Sequence, residues 1–492
     1  MSHYFDVLIV GAGISGIGMA CHLQKESPAK RYAILERRNA IGGTWDLFRY
    51  PGVRSDSDMF SFAYAFRPWM SPKVLAEGKL VRDYVKQTAH EFGVDRHIRF
   101  GLKIVKAAWS DTLKLWTINA LHEATGEPQT YTCRFFVSCT GYYDYDNAYL
   151  PEFPGLESFE GQTIHPQFWP EDLDYTGKRV VVIGSGATAV TIVPAMVAGA
   201  AHVTMLQRTP TYYFSVPKLE KFIGVMCKVI PAHLIYAALR GVYISLQRAL
   251  YKSAKRWPKA MRKFFLGTVK RALGETVDMR HFTPSYMPWD QRLCVVPDGD
   301  LFKAIKSGKA SVVTDEIVSF TAHGILLKSG ETLEADIVVT ATGIRLKTFG
   351  GIEISVDGKP IATNRLLSYR AVLMQNLPNM AFIFGYTNAS WTLKADIASR
   401  YVCRLLNYMD SRGIGSAIPR NLGEEPGQGN VMSSLTSGYV KRDIDELPRQ
   451  GLSEPWRVTH AYEVDRKILL DDPIDDGVLE FARSKPPSEP AR

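Results

Sequence analysis

Phe5-Asp6-Val7-Leu8-Ile9-Val10-Gly11-Ala12-Gly13-Ile14-Ser15-Gly16 is the stretch that decides the fold class. The apolar run 5–10 predicts a buried strand, and the spacing of Ile17, Ala20, Cys21 and Leu23 predicts a helix straight after the glycines. Arg31-Tyr32-Ala33-Ile34-Leu35 reads as the next strand, and Glu36 closes it. Strand, glycine turn, helix, strand and acid at this spacing describe a dinucleotide-binding βαβ unit. Gly11 permits the tight turn, Gly13 lets the backbone approach a pyrophosphate, and Gly16 lets helix and strand pack closely. Ser15 falls in the first helical turn, whose free N–H groups face the phosphates. Glu36 can accept hydrogen bonds from both hydroxyls of a ribose.

The pattern recurs once. Arg179–Ile183 is a second buried strand, Gly184-Ser185-Gly186-Ala187-Thr188-Ala189 opens a helix predicted to run to Ala200, and His202–Leu206 is the strand after it. Thr188 lies where a hydroxyl can reach a phosphate. The third glycine is replaced by Ala189, a change that the motif tolerates. The second strand ends in Gln207-Arg208-Thr209 rather than in an acid. A carboxylate there would select an unmodified ribose, whereas an arginine pairs with a 2′-phosphate, so this half predicts NADPH.

In the first half, Gly42-Gly43-Thr44-Trp45 follows the ribose acid, then Tyr50-Pro51-Gly52 and Asp56-Ser57-Asp58. A second glycine pair with an aromatic, loop-rich continuation is similar to the FAD half of two-dinucleotide flavoproteins, which places Gly43, Thr44, Trp45, Tyr50 and Asp56 beside a flavin. The expected fold is therefore α/β, with two Rossmann-like domains for FAD and NADPH. Arg134–Gly141 and Asp336–Gly343 are alike, each an apolar strand ending in Thr-Gly, and each is a candidate crossing between the domains. The expected division is 1–145 and 335–492 for FAD, 146–217 and 286–334 for NADPH, and 218–285 as a helical basic insertion.

Bulk properties restrict the function classes. The chain has 492 residues, 46% of them hydrophobic and 22% charged, which suits two or three folded domains and not a disordered chain. No apolar run reaches the length of a membrane span. No basic leader or cleavage site precedes the first strand, so a cytoplasmic protein is expected. The six cysteines are scattered without a C-x-x-C pair, which argues against a disulfide framework, a metal site or a thiol-based reductase. The net charge is +9, but between Lys218 and Arg271 thirteen Lys or Arg face one acid, Glu220; that segment carries +12 and the remainder −3. Nothing here points to nucleic acid. Leu234, Ala237, Ala238, Val242 and Leu246 show helical spacing, and bases mix with Tyr251, Trp257, Phe264 and Phe265. Two readings stay open: a helical insertion that packs on the protein, or a basic amphipathic surface that contacts anionic lipid at the inner face of the membrane. Ala389–Met409 reads as a long helix, 421–436 as a mobile loop, and 485–492 as a polar, disordered tail.

Between the two nucleotide motifs lies Phe159-x-Gly161-x-x-x-His165-x-x-x-Trp169-Pro170, which resembles the fingerprint of type I Baeyer–Villiger monooxygenases. Gly42-Gly43-x-Trp45-x-x-x-x-Tyr50-Pro51-Gly52-x-x-x-Asp56 resembles their second fingerprint. Trp45–Pro51, Trp289–Cys294 and Gly385–Trp391 are similar to the subgroup that activates ethionamide and oxidises ketones, sulfides and thioamides. The resemblance implies that NADPH reduces FAD, that O₂ adds to the flavin as a C4a-peroxide, and that one oxygen is inserted next to a ketone carbonyl to give an ester or lactone. It further implies that Arg292 is the active-site cation, that Asp56 positions it, and that Phe159, Gly161, His165 and Trp169 form a linker coupling domain motion to the flavin, with no proton carried by His165. The alternative within the class is a nitrogen- or sulfur-oxygenating flavin monooxygenase without Baeyer–Villiger activity. Substrate and oligomeric state are open at this level.

Overall fold

The computed structural model describes residues 3–483 except 218, 276, 292, 425 and 434–436. The tail 485–492 and part of the 421–436 stretch therefore lie outside the described residues.

The opening stretch folds as β1 (His3–Val10), α1 (Ile14–Glu26) and β2 (Tyr32–Leu35), with β1 and β2 parallel. A short helix α2 (Met59–Phe62) follows, capped by the Asp58 carboxylate, which accepts from Ser61 N at 2.8 Å. β3 (Leu102–Ser110), β4 (Leu115–His122) and β5 (Pro128–Ser138) form an antiparallel meander, and β5 returns to pair in parallel with β1. Alternate residues of β1 and β5 feed two separate cores. Val7, Ile9, Phe135 and Val137 face one side of the sheet; Leu8, Val10 and Phe136 face the other. Such a strand must read as continuously apolar, because both of its faces are buried.

The second unit is a parallel sheet built from β6 (Gln162–Ile164), β7 (Arg179–Ile183), with helix α3 (Ala187–Met196) after it, and β8 (His202–Gln207). Three helices come next: α4 (Glu220–Met226), α5 (Ala232–Arg256) and α6 (Pro258–Leu273). β9 (Ala310–Thr314) and β10 (Ile337–Thr340) complete the sheet in the order β9-β8-β7-β10-β6. The expected return to the first unit at residue 335 thus comes too early. β10 pairs with both β7 and β6, and the chain rejoins the first sheet only at Glu353–Val356 and β11 (Met380–Phe382). The long helix α7 (Trp391–Ser411) closes the first unit against α1.

One further expectation is corrected, and one segment is sharpened. Within 421–436, Pro426–Asn430 forms a strand antiparallel to Arg449–Gly451, next to Glu424 Oε1, which accepts from Leu452 N at 2.7 Å and Ser453 N at 2.9 Å. In α5, the stripe Leu234, Ala237, Ala238, Val242 and Leu246 is exposed. The neighbouring stripe Ile235, Tyr236, Leu239 and Tyr243 packs instead, with Tyr236 and Tyr243 against Phe60 of α2.

Candidate functional site

The C-terminal ends of β1 and β7 open onto one cavity of about 1240 Å³, larger than a pocket for one drug-sized ligand. Gly11, with φ +104°, makes the first turn, and a Cβ on Gly16 would lie 1.8 Å from Gly11 O, so α1 can approach β1 only with glycine there. Gly13 meets the second glycine pair backbone to backbone: a Cβ on Gly43 would fall 3.0 Å from Gly13 Cα. Gly11, Gly13, Ser15, Glu36, Gly43, Thr44, Trp45, Tyr50 and Asp56 all line the cavity. Gly16 packs behind it. Glu36 is buried and fixed by backbone, with Oε2 accepting from Ala12 N at 2.6 Å and Oε1 from Arg38 N at 2.8 Å. Burial pushes its carboxyl up, while those two N–H groups and the Arg38 charge oppose the shift.

The second turn faces the same space. Gly184, Ser185, Gly186, Ala187, Thr188, Arg208 and Thr209 line it. Ser185 Oγ donates to Thr209 O at 2.8 Å, tying the turn to the end of β8. Nothing lies within 4 Å of a Cβ placed on Gly186, which leaves backbone open to a bound phosphate. Arg208 is exposed and has no hydrogen-bond or ion-pair partner among the described residues. Gln207 is a correction. It does not line the cavity; its amide donates inward to His281 O at 2.6 Å and Thr314 Oγ1 at 2.9 Å. Successive side chains of a strand point to opposite sides, so Arg208 and Gln207 cannot both face the ligand.

The Tyr50-Pro51-Gly52 loop joins the two units. A Cβ on Gly52 would lie 2.8 Å from Ala195 Cβ and 2.9 Å from Thr191 O, both on α3. Burial pushes the Tyr50 phenol up to about 12, and its hydrogen bond with Thr188 offsets part of that. The two Thr-Gly crossings meet as well. Asp144 N donates to Arg345 O at 3.0 Å and Lys347 N to Tyr142 O at 3.0 Å, a short antiparallel pair.

His165 and Gln167 clamp this pair. His165 Nδ1 accepts from Gln167 N at 3.1 Å, and its Nε2 lies 3.3 Å from Gly343 O in the second crossing. Gln167 Nε2 donates to Asp144 O at 2.8 Å in the first crossing. Burial pushes the imidazole down, which favours the neutral ring with its proton on Nε2. Both ring nitrogens are thus engaged by backbone, and neither His165 nor Trp169 lines the cavity. Phe159 packs edge-on against Phe320, and a Cβ on Gly161 would lie 2.5 Å from Asp336 O.

Arg292 lies outside the described residues. Its flanks, Gln291 and Cys294, line the cavity, as does Asp56. Two lining residues, Tyr142 and Tyr145, were not singled out in the sequence, and Thr140 and Trp391 were quoted there only within longer stretches. The signal was there, since the run Tyr142-Tyr143-Asp144-Tyr145 directly follows a Thr-Gly strand end. Trp391 donates to Ser15 Oγ at 2.8 Å and stacks on Tyr142 at 5.5 Å.

Beneath this wall His460 is held at Val431 O, 3.1 Å away, and burial pushes its pKa down to about 4. In the unfolded chain an imidazole titrates near 6.5, so below that pH the unfolded state takes up a proton that the folded state refuses. The stability present above pH 6.5 is lost as the pH falls towards 4, to about 2 kcal/mol at pH 5. Thermal unfolding at pH 7.5 and pH 5 should therefore show a smaller acid-induced drop in Tm for His460→Asn, which tolerates the residue's φ of +48°. An equal drop in both proteins would assign the acid sensitivity elsewhere.

Two nucleotide turns on one cavity, joined by a clamped double crossing, define a two-dinucleotide oxidoreductase. The chain belongs to the flavin-binding monooxygenase-like family, whose model matches residues 5–412. MymA of Mycobacterium tuberculosis is 57% identical over 486 residues, covering 98% of each chain. The FAD-containing monooxygenase EthA of the same organism is 50% identical over 489 residues, covering 99% of each. The fold is shared with the NADP-bound structures of a steroid monooxygenase (TM-score 0.76, 21% identity) and of cyclohexanone monooxygenase from Rhodococcus sp. Phi1 (TM-score 0.74, 20% identity), each match covering 98% of this chain and 100% of the other.

Proposed function

We propose that this protein is a Baeyer–Villiger monooxygenase using FAD and NADPH: ketone, O₂, NADPH and H⁺ give an ester or lactone, water and NADP⁺. The observation that carries the reading is the single cavity bounded by both glycine turns, with Asp56 and the flanks of Arg292 on its wall. Gly11–Gly16, Glu36 and Gly43–Trp45 hold FAD; Gly184–Thr188, Arg208 and Thr209 hold NADPH. When bound, FAD supplies oxygen activation and NADPH the two electrons. The chain's own part is electrostatic and positional. Oxygen insertion passes through anionic charge on the transferred oxygen and on the carbonyl oxygen, and a permanent cation in a dry site stabilises both. Arg292 serves as that cation because a guanidinium does not give up its proton. Asp56 orients it, since a desolvated guanidinium without a carboxylate partner is costly. The His165–Gln167 clamp holds the two crossings in register, so that the cofactors meet at a fixed separation.

A sulfur-oxygenating activity is a second reading at the same site. Tyr386, Thr387, Ala389 and Trp391 line the cavity and belong to the stretch that resembles the thioamide-oxidising subgroup. Aerobic NADPH turnover against a panel of linear, cyclic, aromatic and steroid ketones plus thioethers, with products identified by mass, separates the readings. Lactone from a cyclic ketone is expected. Sulfoxide without lactone would replace the proposal by the second reading, and substrate-independent turnover with no oxygenated product would remove both.

A further inference from the structure

Helix α5 carries apolar residues on two opposite faces, and only one of them is used. The inner face packs on α2, and its two charges turn inward too: Arg240 donates to Phe60 O at 2.9 Å and Ala63 O at 2.8 Å, while Arg248 pairs with Glu463. Between Ala232 and Ala249 no other Lys, Arg, Asp or Glu occurs. The outward face over those turns is Leu234, Ala238, Val242, Leu246 and Ala249 at i, i+4 and i+3 spacing, all exposed; Leu234, Val242 and Leu246 are 54%, 58% and 51% accessible. A solvent-facing helix normally carries charge there. The segment before it also exposes apolar side chains, Phe222 of α4 at 65% and Val229 in the turn after it at 84%.

The patch is rimmed by one sign of charge. Lys221 and Lys228 flank it at one end, and Lys252, Arg256 and Lys259 at the other, all exposed. From Lys218 to Arg271 the sole acid is Glu220. A second copy of the chain does not complement this face, because a two-fold contact would press two segments of charge +12 together. Nucleic acid does not suit it either, because the middle of the surface carries no outward Lys or Arg to pair with phosphates. Apolar side chains at the centre and bases at the rim match the acyl and headgroup layers of an anionic bilayer. No helix among the described residues is long and apolar enough to cross a membrane, so any contact through this face lies along the surface.

We propose that the outward face of α4 and α5 docks the protein on an anionic lipid surface, with Val242 and Leu246 entering the interface. The inner side of α5 rests on Phe60, and Phe62 of the same short helix lines the cofactor cavity. Docking thus brings the oxygenation site within two side-chain layers of the lipid, where an apolar substrate concentrates.

Flotation of the full-length, cofactor-loaded protein tests this with two vesicle types: phosphatidylcholine alone, and phosphatidylcholine containing one third phosphatidylglycerol. Flotation with the anionic vesicles is expected, falling at high salt and by about tenfold on neutral vesicles. Val242→Glu/Leu246→Glu, exposed positions remote from the cavity, should reduce anionic binding by at least about tenfold with NADPH turnover unchanged. Absence of flotation, equal binding to neutral vesicles, or a double variant that floats like the parent would each overturn the proposal. So would a double variant that changes only the oligomeric mass in size-exclusion chromatography.

Discussion

Arg292→Ala is expected to leave flavin binding and NADPH-driven flavin reduction intact while lowering ketone oxygenation by about 10²–10³-fold, the usual cost of removing one stabiliser of transition-state charge. The two readouts separate if Arg292 acts, as proposed, only on the charge that develops during oxygen transfer. The two glycine turns are held by their own contacts: Ala12 N and Arg38 N donate to Glu36, and Ser185 Oγ donates to Thr209 O. Arg292→Lys should recover part of the rate at low pH and lose it as pH rises, since a desolvated ammonium gives up its proton and a guanidinium does not. The measurement is ester or lactone yield per NADPH, with the flavin absorbance spectrum as the control. Lactone formation by Arg292→Ala at the parental rate would remove the electrostatic role. Loss of flavin absorbance would show instead that the position is structural.

The parts of this molecule that were readable from sequence are those dictated by local sterics. A Cβ on Gly16 would collide with Gly11 O whatever surrounds it, so that glycine announces itself, as does the apolar run of β1. The unreadable parts depend on partners distant in sequence. Whether Gln207 or Arg208 faces the ligand is set by His281 and Thr314, which take the Gln207 amide. The clamp at His165 reaches Gly343, 178 residues away, and the boundary near 335 was misplaced because β10 and a returning strand of the first sheet look alike until their neighbours are known. Helix α5 makes the same point. Leu234 and Ile235 begin two equally apolar stripes, and only the contact of Tyr236 with Phe60 decides which is buried.

The direction of Arg208 leads to the second large effect. β8 ends with Gln207 turned into the sheet, so pleating sends Arg208 to the cavity side, where it is exposed and unpaired among the described residues. An unpaired guanidinium beside an open glycine turn gains two charge-assisted hydrogen bonds when a 2′-phosphate arrives, worth about 2 kcal/mol net. NADH offers a hydroxyl there and gains little. Arg208→Ala should therefore raise KM for NADPH by about 10–100-fold and change that for NADH by less than about twofold, with kcat retained for both. The NADPH term should also weaken with ionic strength in the parent and lose that dependence in the variant, because an exposed pair is screened. Equal effects on the two nucleotides would mean that Arg208 acts on a part of the cofactor that both share. The preference for NADPH would then have to come from another base on the cavity wall, and Lys441 and Arg442, which also line it, would be the next positions to exchange.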